Sequence, residues 1–291
     1  MTRRPFVPVA ALALLVPAFP SAQRPVFSSR TLAVRVDVLV TDGRGPVAGL
    51  QAADFELRDN GVRQRVELIA AAEVPIDAIL ALDASESIRG PRQPALISAG
   101  EALIDGLKAA DRAGLVTFSH AITSRIAPTS DLPAVRAELQ RLTPHGRTSL
   151  MDGVYVALTS TLDQSVRSLI VVCTDGADTT SWLQPSEVIE ASHRANAVVY
   201  AVTATAARRA SPLNQLADVT GGQVLLVKSN SDLRPAFQRI LTEFRSRYVL
   251  AYTPEGVPAG GFHRLDIGVP GRGLTVKARA GYIGVEPRRE P

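Results

Sequence analysis

The sequence has a single cysteine, Cys173, among 291 residues, so an internal disulfide is excluded. Aromatic residues make up only 5% of the chain, and a folded core must therefore consist mainly of aliphatic side chains. Neither sign of charge is in large excess. The formal net charge is +4, and it is only +2 without Arg3 and Arg4 near the start. The basic residues are scattered, which gives no electrostatic case for nucleic-acid binding. With 46% hydrophobic and 21% charged residues, the composition is that of a globular protein.

The fingerprints of several enzyme classes are missing as well. None of the four histidines lies in an H-E-x-x-H motif, and no G-x-S-x-G elbow, P-loop or G-x-G-x-x-G sequence is present. One alternative is a hydrolase in which Ser149, His145 and an aspartate form a nucleophilic arrangement. The missing fingerprints favour a protein that is not an enzyme, and the hydrolase is kept as an alternative.

Residues 1–22 have the pattern of an export signal. Residues 2–4 give a positive start and residues 6–16 give an apolar core, after which Ala18 and Ala22 are both suitable cleavage positions. The apolar run is too short to span a bilayer. The sequence therefore predicts an exported chain, periplasmic or extracellular, without a stable membrane span after signal cleavage.

Side chains with oxygen donors follow two predicted buried strands and occupy one further loop. Asp83, Ser85 and Ser87 directly follow one apolar run, Asp175 follows a second, and Thr148 precedes a helical pattern. In an open α/β sheet, ligands bind at the carboxyl ends of the strands. Hydroxyl and carboxylate oxygens at this spacing suit a small hard cation such as magnesium. Ser and Asp are also ordinary capping residues, so the first segment alone fits a capped strand end equally well.

Three segments together carry a family resemblance. They are Asp-x-Ser-x-Ser at residues 83–87, Gly-Arg-Thr-Ser-Leu-Met-Asp-Gly at 146–153 and Thr-Asp-Gly-Ala-Asp at 174–178. In order and spacing they resemble the metal-ion-dependent adhesion site of the von Willebrand factor type A domain. The resemblance covers residues 74–245.

This resemblance implies a metal site and a protein partner. Ser85, Ser87 and Thr148 would bind the ion directly, and Asp83 and Asp175 would act mainly through water. The implied cofactor is Mg²⁺, with Mn²⁺ or Ca²⁺ as alternatives, and an open coordination position would accept a carboxylate from the partner. Two further acids could support the ligands from outside, namely Asp152 and Asp178.

Apolar strands and amphipathic helices alternate along residues 74–245, which predicts an α/β fold with a doubly wound, mostly parallel, Rossmann-like sheet. Alternating strand patterns precede and follow this part of the chain, three on each side. Each set alone would expose an apolar face, so we expect both to pair in a small β-sandwich into which the α/β domain is inserted. The strands are predicted at residues 31–40, 54–58, 62–70, 247–252, 262–269 and 274–279.

Three short motifs flank the type A region, namely Asp-Phe at residues 54–55, Tyr-x-x-x-Tyr-x-Pro at 248–254 and Arg-x-Gly-Tyr at 279–282. With these motifs, the expected domain layout resembles a group of secreted bacterial proteins that carry a type A-related domain. The predicted layout of this chain comprises a signal peptide at residues 1–22, N-terminal sandwich strands at 23–73, the type A domain at 74–245, C-terminal sandwich strands at 246–284 and a tail at 285–291.

The predicted function is metal-dependent adhesion or recognition, in which the ion bridges to an acidic residue of a partner protein. A structural or assembly role in the envelope, with the sandwich as the docking surface, is the alternative. Trp182 is expected to be partly buried, with partner contact as the alternative for this residue. The predicted last helix at residues 232–245 leads directly into the sandwich, which raises the hypothesis that ligand binding shifts this helix.

Overall fold

The computed structural model describes most of the chain after the predicted signal. The predicted signal peptide at residues 1–22 and the predicted tail at 285–291 lie outside the described residues. Where the structure describes the chain, no helix has the length and apolar character needed to cross a membrane. The described ranges are residues 33–71, 74–161, 166–175, 178–204 and 211–284.

The described residues form fourteen strands and six α-helices. The strands are β1 (Val34–Thr41), β2 (Glu56–Asp59), β3 (Val62–Gln64), β4 (Glu67–Ile69), β5 (Ile76–Asp83), β6 (Arg112–Phe118), β7 (Ile122–Thr129), β8 (Arg167–Thr174), β9 (Ala197–Thr203), β10 (Gln223–Leu226), β11 (Tyr248–Tyr252), β12 (Gly261–Gly268), β13 (Thr275–Lys277) and β14 (Gly281–Gly284). The helices are α1 (Arg92–Asp105), α2 (Leu132–Gln140), α3 (Leu150–Leu158), α4 (Pro185–Arg194), α5 (Pro212–Thr220) and α6 (Leu233–Arg245).

Six strands form the central sheet in the order β10-β9-β8-β5-β6-β7, and β7 is antiparallel to β6 while the other pairs are parallel. Every residue of β5 and β8 is buried because helices cover both faces of the sheet. Leu96 of α1 and Phe237 of α6 pack on one face, and Val154 of α3 and Leu216 of α5 pack on the other. This doubly wound sheet confirms the predicted fold class. It also places the carboxyl ends of β5 and β8 next to each other.

Two four-stranded antiparallel sheets combine strands from both ends of the described chain. Their strand orders are β13-β1-β11-β4 and β14-β12-β2-β3. Val36 and Val38 of β1 form a shared apolar core with Leu57 of β2, Leu250 of β11 and Leu265 of β12. The α/β part enters between β4 and β11, so it is inserted in a composite sandwich as the sequence predicts.

The sandwich has four strands from each side of the insertion rather than three. The single strand predicted at residues 62–70 is wrong, because β3 pairs with β2 in one sheet whereas β4 pairs with β11 in the other. The period-2 pattern continues through Arg65 and Val66, so it does not mark the point where the chain passes between sheets. Strand β14 is missed because its two glycines, Gly281 and Gly284, weaken the strand pattern.

Two buried arginines join the sandwich to the α/β domain. Arg167 begins β8 and donates hydrogen bonds to Asp37 Oδ1 in β1 (2.7 Å) and to the Phe244 carbonyl in α6 (2.8 Å). Arg247, between α6 and β11, is 1% exposed and donates to Tyr200 Oη in β9 (2.9 Å). The connection from the last helix into the sandwich is therefore fixed by buried polar contacts.

Candidate metal site

Asp83 ends β5 and is completely buried at the carboxyl edge of the central sheet. Its Oδ1 accepts a hydrogen bond from the Ser85 backbone N–H (2.8 Å), and its Oδ2 accepts one from the Thr174 hydroxyl of β8 (2.6 Å). Burial raises the pKa of Asp83 because it removes water from the charged form, while the hydrogen bonds from Ser85 and Thr174 oppose part of this rise. A nearby cation would offset the same loss of hydration.

Ser85, Ser87 and Asp175 form a short series of side-chain contacts next to Asp83. The two serine Oγ atoms are 2.9 Å apart, and the Ser87 hydroxyl donates to Asp175 Oδ1 at 2.6 Å. Adjacent oxygens of a magnesium octahedron are separated by about 2.9 Å, given metal–oxygen distances of about 2.0–2.1 Å. The separation of the two hydroxyls therefore fits two adjacent ligand positions around such an ion.

Thr148 lies on a separate loop that backbone hydrogen bonds connect to the segment after β5. The His145 N–H donates to the Ala84 carbonyl, and the Glu86 N–H donates to the Gly146 carbonyl, each at 2.9 Å. Thr148 itself is 5% exposed. Among the described residues, no hydrogen bond joins its side chain to the other four predicted ligands. The structure thus brings four of the five into one series of contacts and holds the fifth on a neighbouring loop.

The donor set of this site contains two carboxylates, Asp83 and Asp175, and no imidazole. Within the described ranges, no group of three or more His, Cys, Asp or Glu side chains is placed to hold a metal ion. A metal at this edge of the sheet would depend on hydroxyl oxygens together with Asp83 and Asp175. Magnesium accepts such neutral oxygen ligands and retains several of its waters.

Asp152 and Asp178 organise backbone around the site. Asp178 accepts hydrogen bonds from the Met151 and Ser181 backbone N–H groups, each at 3.0 Å. Asp152 accepts from the Trp182 N–H (3.1 Å) and from the N–H of the following residue (3.0 Å). The two acids therefore fix the first turn of α3 to the loop after β8, next to the predicted ligand loop.

Thr179 is a supporting residue that sequence reasoning misses. Its hydroxyl accepts a hydrogen bond from the Thr148 N–H (3.1 Å), and its own N–H donates to the Thr148 carbonyl (3.0 Å). The Thr180 N–H donates to the same carbonyl (3.2 Å). These contacts hold the Thr148 backbone directly, but a threonine in a polar loop gives no sequence signal for this role.

Arg92, in the first turn of α1, is a second residue that the motifs do not reveal. Its Nε lies 3.6 Å from Asp175 Oδ2, and its side chain is 12% exposed. Its Nη2 is buried and makes no hydrogen bond in the part of the chain that the structure describes. The guanidinium also influences the Cys173 thiol, whose pKa burial raises to about 12 against the opposing effect of Arg92. The site therefore combines two carboxylates with one guanidinium.

The serine–histidine pair considered for a hydrolase is not formed. His145 Nε2 lies 3.1 Å from Ser119 Oγ, and its Nδ1 lies 2.9 Å from the Thr143 carbonyl oxygen. Ser149 is completely buried, and its hydroxyl has no hydrogen-bond partner among the described residues. His145 therefore faces a different serine from the predicted one, and a carbonyl rather than a carboxylate orients its ring.

Trp182 lies on the loop between β8 and α4. The prediction that its side chain is partly buried is wrong. Its side chain is 90% exposed, although its backbone N–H is bound to Asp152. Tryptophan is highly buried on average in folded proteins, but its local surroundings decide the individual case. The local hydrogen bonds fix the backbone of this loop without providing a neighbour that covers the indole.

Comparison with known proteins supports the assignment of the family. The family model of the von Willebrand factor type A domain matches residues 77–239 of the chain. No curated protein matches the sequence.

Several solved structures are similar to this chain at low sequence identity. A von Willebrand factor type A protein from Catenulispora acidiphila is 13% identical, with a TM-score of 0.52, over 86% of this chain and 73% of that one. Proximal thread matrix protein 1 from the mussel byssus is 17% identical, with a TM-score of 0.52, over 63% of this chain and 49% of that one. The von Willebrand factor domain of a type V pilus tip protein from Porphyromonas gingivalis is 23% identical, with a TM-score of 0.34, over 36% of this chain and 39% of that one.

The chain thus spans less than half the length of the mussel and pilus tip structures. The family match, by contrast, covers more than half of the present sequence, and it includes every residue of the candidate metal site. The central sheet of the chain has the mixed, mostly parallel arrangement described above. On these findings, the chain belongs to the von Willebrand factor type A domain family.

Proposed function

We propose that the chain is an exported adhesion or recognition module that binds a protein partner through a divalent metal ion. Domains of this family mediate protein–protein interactions. The observation that supports the metal most directly is the series of contacts from Asp83 through Ser85 and Ser87 to Asp175 at the carboxyl edge of the sheet. The export pattern of residues 1–22 supports a periplasmic or extracellular location.

The residue types suggest how the ion would be held. Ser85, Ser87 and Thr148 would supply hydroxyl ligands, and Asp83 and Asp175 would balance charge and orient bound water. Magnesium suits these oxygens and the octahedral spacing, manganese can replace it, and calcium would require a looser geometry.

The same donor set explains why the ion would bind an acidic partner. The three direct ligands are neutral hydroxyls and the two carboxylates would act through water, so no anionic group of the chain would bind the ion directly. The partner would bind by placing one carboxylate oxygen at an open coordination position, since carboxylates are favoured ligands of hard cations. In this proposal the ion forms the contact between the two proteins.

A binding role, rather than an enzymatic one, is the function that we propose. His145 is oriented by a backbone carbonyl, and the buried Ser149 hydroxyl makes no hydrogen bond to it among the described residues. The recognised enzyme fingerprints are missing from the sequence as well. A hydrolase screen of the wild-type chain against His145→Ala would overturn this view if it found an activity that the substitution removes.

Calorimetric titration of magnesium and manganese into residues 23–291 tests the metal site. Saturable binding should be lost in Asp83→Ala but kept in Asp266→Ala, which removes an exposed carboxylate from β12 in the sandwich. If the wild-type chain binds neither ion, metal-dependent adhesion is wrong.

The second candidate is a structural or assembly role in which the sandwich is the docking surface. It is favoured by the exposed apolar side chains of Val62 (39%) and Phe262 (48%) on the sandwich. Partner capture with the double variant Asp83→Ala and Thr148→Ala separates the two candidates. If the double variant still captures the partner, the sandwich is supported as the docking surface. If capture is lost, metal-dependent adhesion is supported.

A further inference from the structure

Trp182 is the only tryptophan of the chain, and its side chain is 90% exposed. Single exposed apolar residues are common and need no explanation by themselves. The position of Trp182 is more informative, because it lies two residues after Thr180, whose N–H donates to the carbonyl of the predicted ligand Thr148. Tyr155, three residues after Asp152 and on the same face of α3, is 38% exposed. Two exposed aromatic residues thus belong to the elements that border the candidate metal site.

The loop that carries Trp182 is held by several hydrogen bonds. Asp178 accepts from the Ser181 N–H (3.0 Å), and the Ser181 hydroxyl accepts from the Met151 N–H (3.0 Å). Asp152 then accepts from the Trp182 N–H (3.1 Å). A backbone held in this way loses little conformational entropy when a partner binds. The indole is therefore presented to solvent from a pre-organised support.

An exposed cation next to the predicted ligand Thr148 offers a pairing position for an acidic side chain of a partner. Arg147 is exposed, and the described residues provide it with no ion pair or hydrogen bond. The carboxylates of Asp152 and Asp178 accept hydrogen bonds from backbone N–H groups, and Glu86 is paired with Arg89 (2.8 Å). Arg147 is thus an exposed cation, without a carboxylate partner among the described residues, directly before the predicted ligand Thr148.

We infer that Arg147, Thr148 and Trp182 form a docking surface for an acidic protein segment that carries an apolar side chain next to its metal-binding carboxylate. The inference rests on the proposed function, because the ion takes the carboxylate. Trp182 would cover the apolar side chain, and Arg147 would pair with a further acid of the segment. Tryptophan and arginine are among the residues that contribute most to interface energetics.

Intrinsic fluorescence provides a selective test because Trp182 is the only tryptophan. Two blocked peptides, GGDFG and GGDGG, would be titrated in saturating magnesium. GGDFG should shift the tryptophan emission to shorter wavelength and bind on the order of tenfold more tightly than GGDGG, because only its aromatic ring can cover the indole. With binding followed by calorimetry, Trp182→Ala should remove this difference. Phe262→Ala, which truncates an exposed aromatic residue of the sandwich, should keep it.

Each outcome decides between the surface and the metal bridge. Equal affinities for the two peptides, with an unchanged emission spectrum, overturn the docking surface, while magnesium-dependent binding of both leaves the proposed function in place. Binding of GGDFG that is independent of magnesium and lost in Trp182→Ala supports the apolar surface and overturns the metal bridge. If neither peptide binds, the docking surface is wrong, and the magnesium titration decides separately on the proposed function.

Discussion

Arg92 and Asp175 face each other at the candidate metal site, with Arg92 Nε 3.6 Å from Asp175 Oδ2. The other oxygen of Asp175 accepts a hydrogen bond from the Ser87 hydroxyl, so the carboxylate is shared between a predicted ligand and a guanidinium. Desolvation is the main cause of the raised pKa of Asp83, and repulsion by Asp175 adds to it. Arg92 therefore supplies a positive charge next to Asp175, one of these two carboxylates.

Arg92→Gln should tighten magnesium binding, because it removes a cation that competes with the metal for Asp175. Two positive charges separated by several ångströms near a protein surface repel each other by an energy that corresponds to a change in Kd on the order of tenfold or more. Calorimetric titration measures the change directly. A melting curve without metal should show a lower Tm for this variant, since Asp175 then loses the guanidinium next to it.

Arg92→Lys is the matched control, because it keeps the positive charge while changing its geometry. Its magnesium affinity should stay close to that of the wild-type chain. If Arg92→Gln binds magnesium with the wild-type Kd, the guanidinium does not influence the ion, and its contact with Asp175 is only structural.

Magnesium should raise the Tm of the wild-type chain but not that of Asp83→Asn. A ligand that binds only the folded state stabilises it by about 2.7 kcal/mol at a concentration of 100 times Kd. For a domain of this size, that energy corresponds to a Tm increase of roughly 5–10 °C. Differential scanning calorimetry with and without EDTA measures the increase. An equal shift in both proteins would mean that the ion binds elsewhere.

Without metal, Asp83→Asn should be at least as stable as the wild-type chain at neutral pH. The folded-state pKa of Asp83 is raised above its ordinary value of 3.8, so the charged form opposes folding above that raised pKa. As the pH falls through the raised pKa, Asp83 becomes protonated in the folded state, and this cost decreases until it is gone below 3.8, where both states are protonated. The stability difference between variant and wild type should therefore shrink in acid, as urea unfolding at a series of pH values would show.

The parts of the fold that could be predicted are those that local sequence patterns encode. Strands β5 and β8 are continuous apolar runs because both of their faces are buried, and such runs followed by Asp83 and Asp175 identify the edge of the sheet. The role of Arg92 could not be predicted, because it depends on the way α1 approaches β8 in three dimensions. The exposure of Trp182 could not be predicted for a similar reason, since the size of tryptophan favours burial and only the folded loop shows that nothing covers its side chain.

Asp152→Ala should loosen the Trp182 loop without removing the metal site. The substitution frees two backbone N–H groups, but Asp152 contacts none of the predicted ligands in the described structure. Time-resolved fluorescence anisotropy of Trp182 should therefore decay faster, while the magnesium Kd should change by less than about twofold. Affinity for GGDFG should fall by roughly 3–10-fold because the indole is no longer pre-organised.

Asp218→Ala removes an exposed acid from α5 and serves as the control, with no change expected in either measurement. An unchanged anisotropy decay in Asp152→Ala would show that the remaining contacts of the loop suffice. A large loss of magnesium affinity would instead show that Asp152 acts on the ligand loop.

The hypothesis that α6 shifts on ligand binding stays a prediction, and the structure shows which contacts such a shift must break. Arg245 at the end of α6 donates to Asp111 Oδ2 (2.6 Å), and Arg247 donates to Tyr200 Oη (2.9 Å). Hydrogen exchange over residues 232–252 should increase when magnesium and GGDFG are both saturating. Unchanged exchange would contradict the shift and leave the sandwich independent of the metal site.

Asp111→Asn should destabilise the junction between α6 and the sheet. Asp111 is 4% exposed and accepts hydrogen bonds from the Ile76 N–H (2.9 Å), the Lys108 N–H (2.7 Å) and Arg245 (2.6 Å). Burial opposes ionisation of this carboxyl, but the hydrogen bonds from Arg245, Lys108 and Ile76 outweigh it and lower the pKa of Asp111. Because the buried charge pair loses one partner, the free energy of unfolding at neutral pH should fall by about 2–3 kcal/mol.

The pH dependence of this loss distinguishes the ion pair from a simple packing defect. Because the folded-state pKa of Asp111 lies below its ordinary value of 3.8, its stabilising contribution is present above 3.8 and is lost as the pH falls through the lowered pKa. Urea unfolding of the two proteins should therefore give converging stabilities in acid. Asp105→Asn breaks an exposed ion pair with Arg136 and should change the free energy of unfolding by less than about 1 kcal/mol at any pH. A difference between Asp111→Asn and wild type that stays constant with pH would contradict the role of the charge, since packing alone does not titrate.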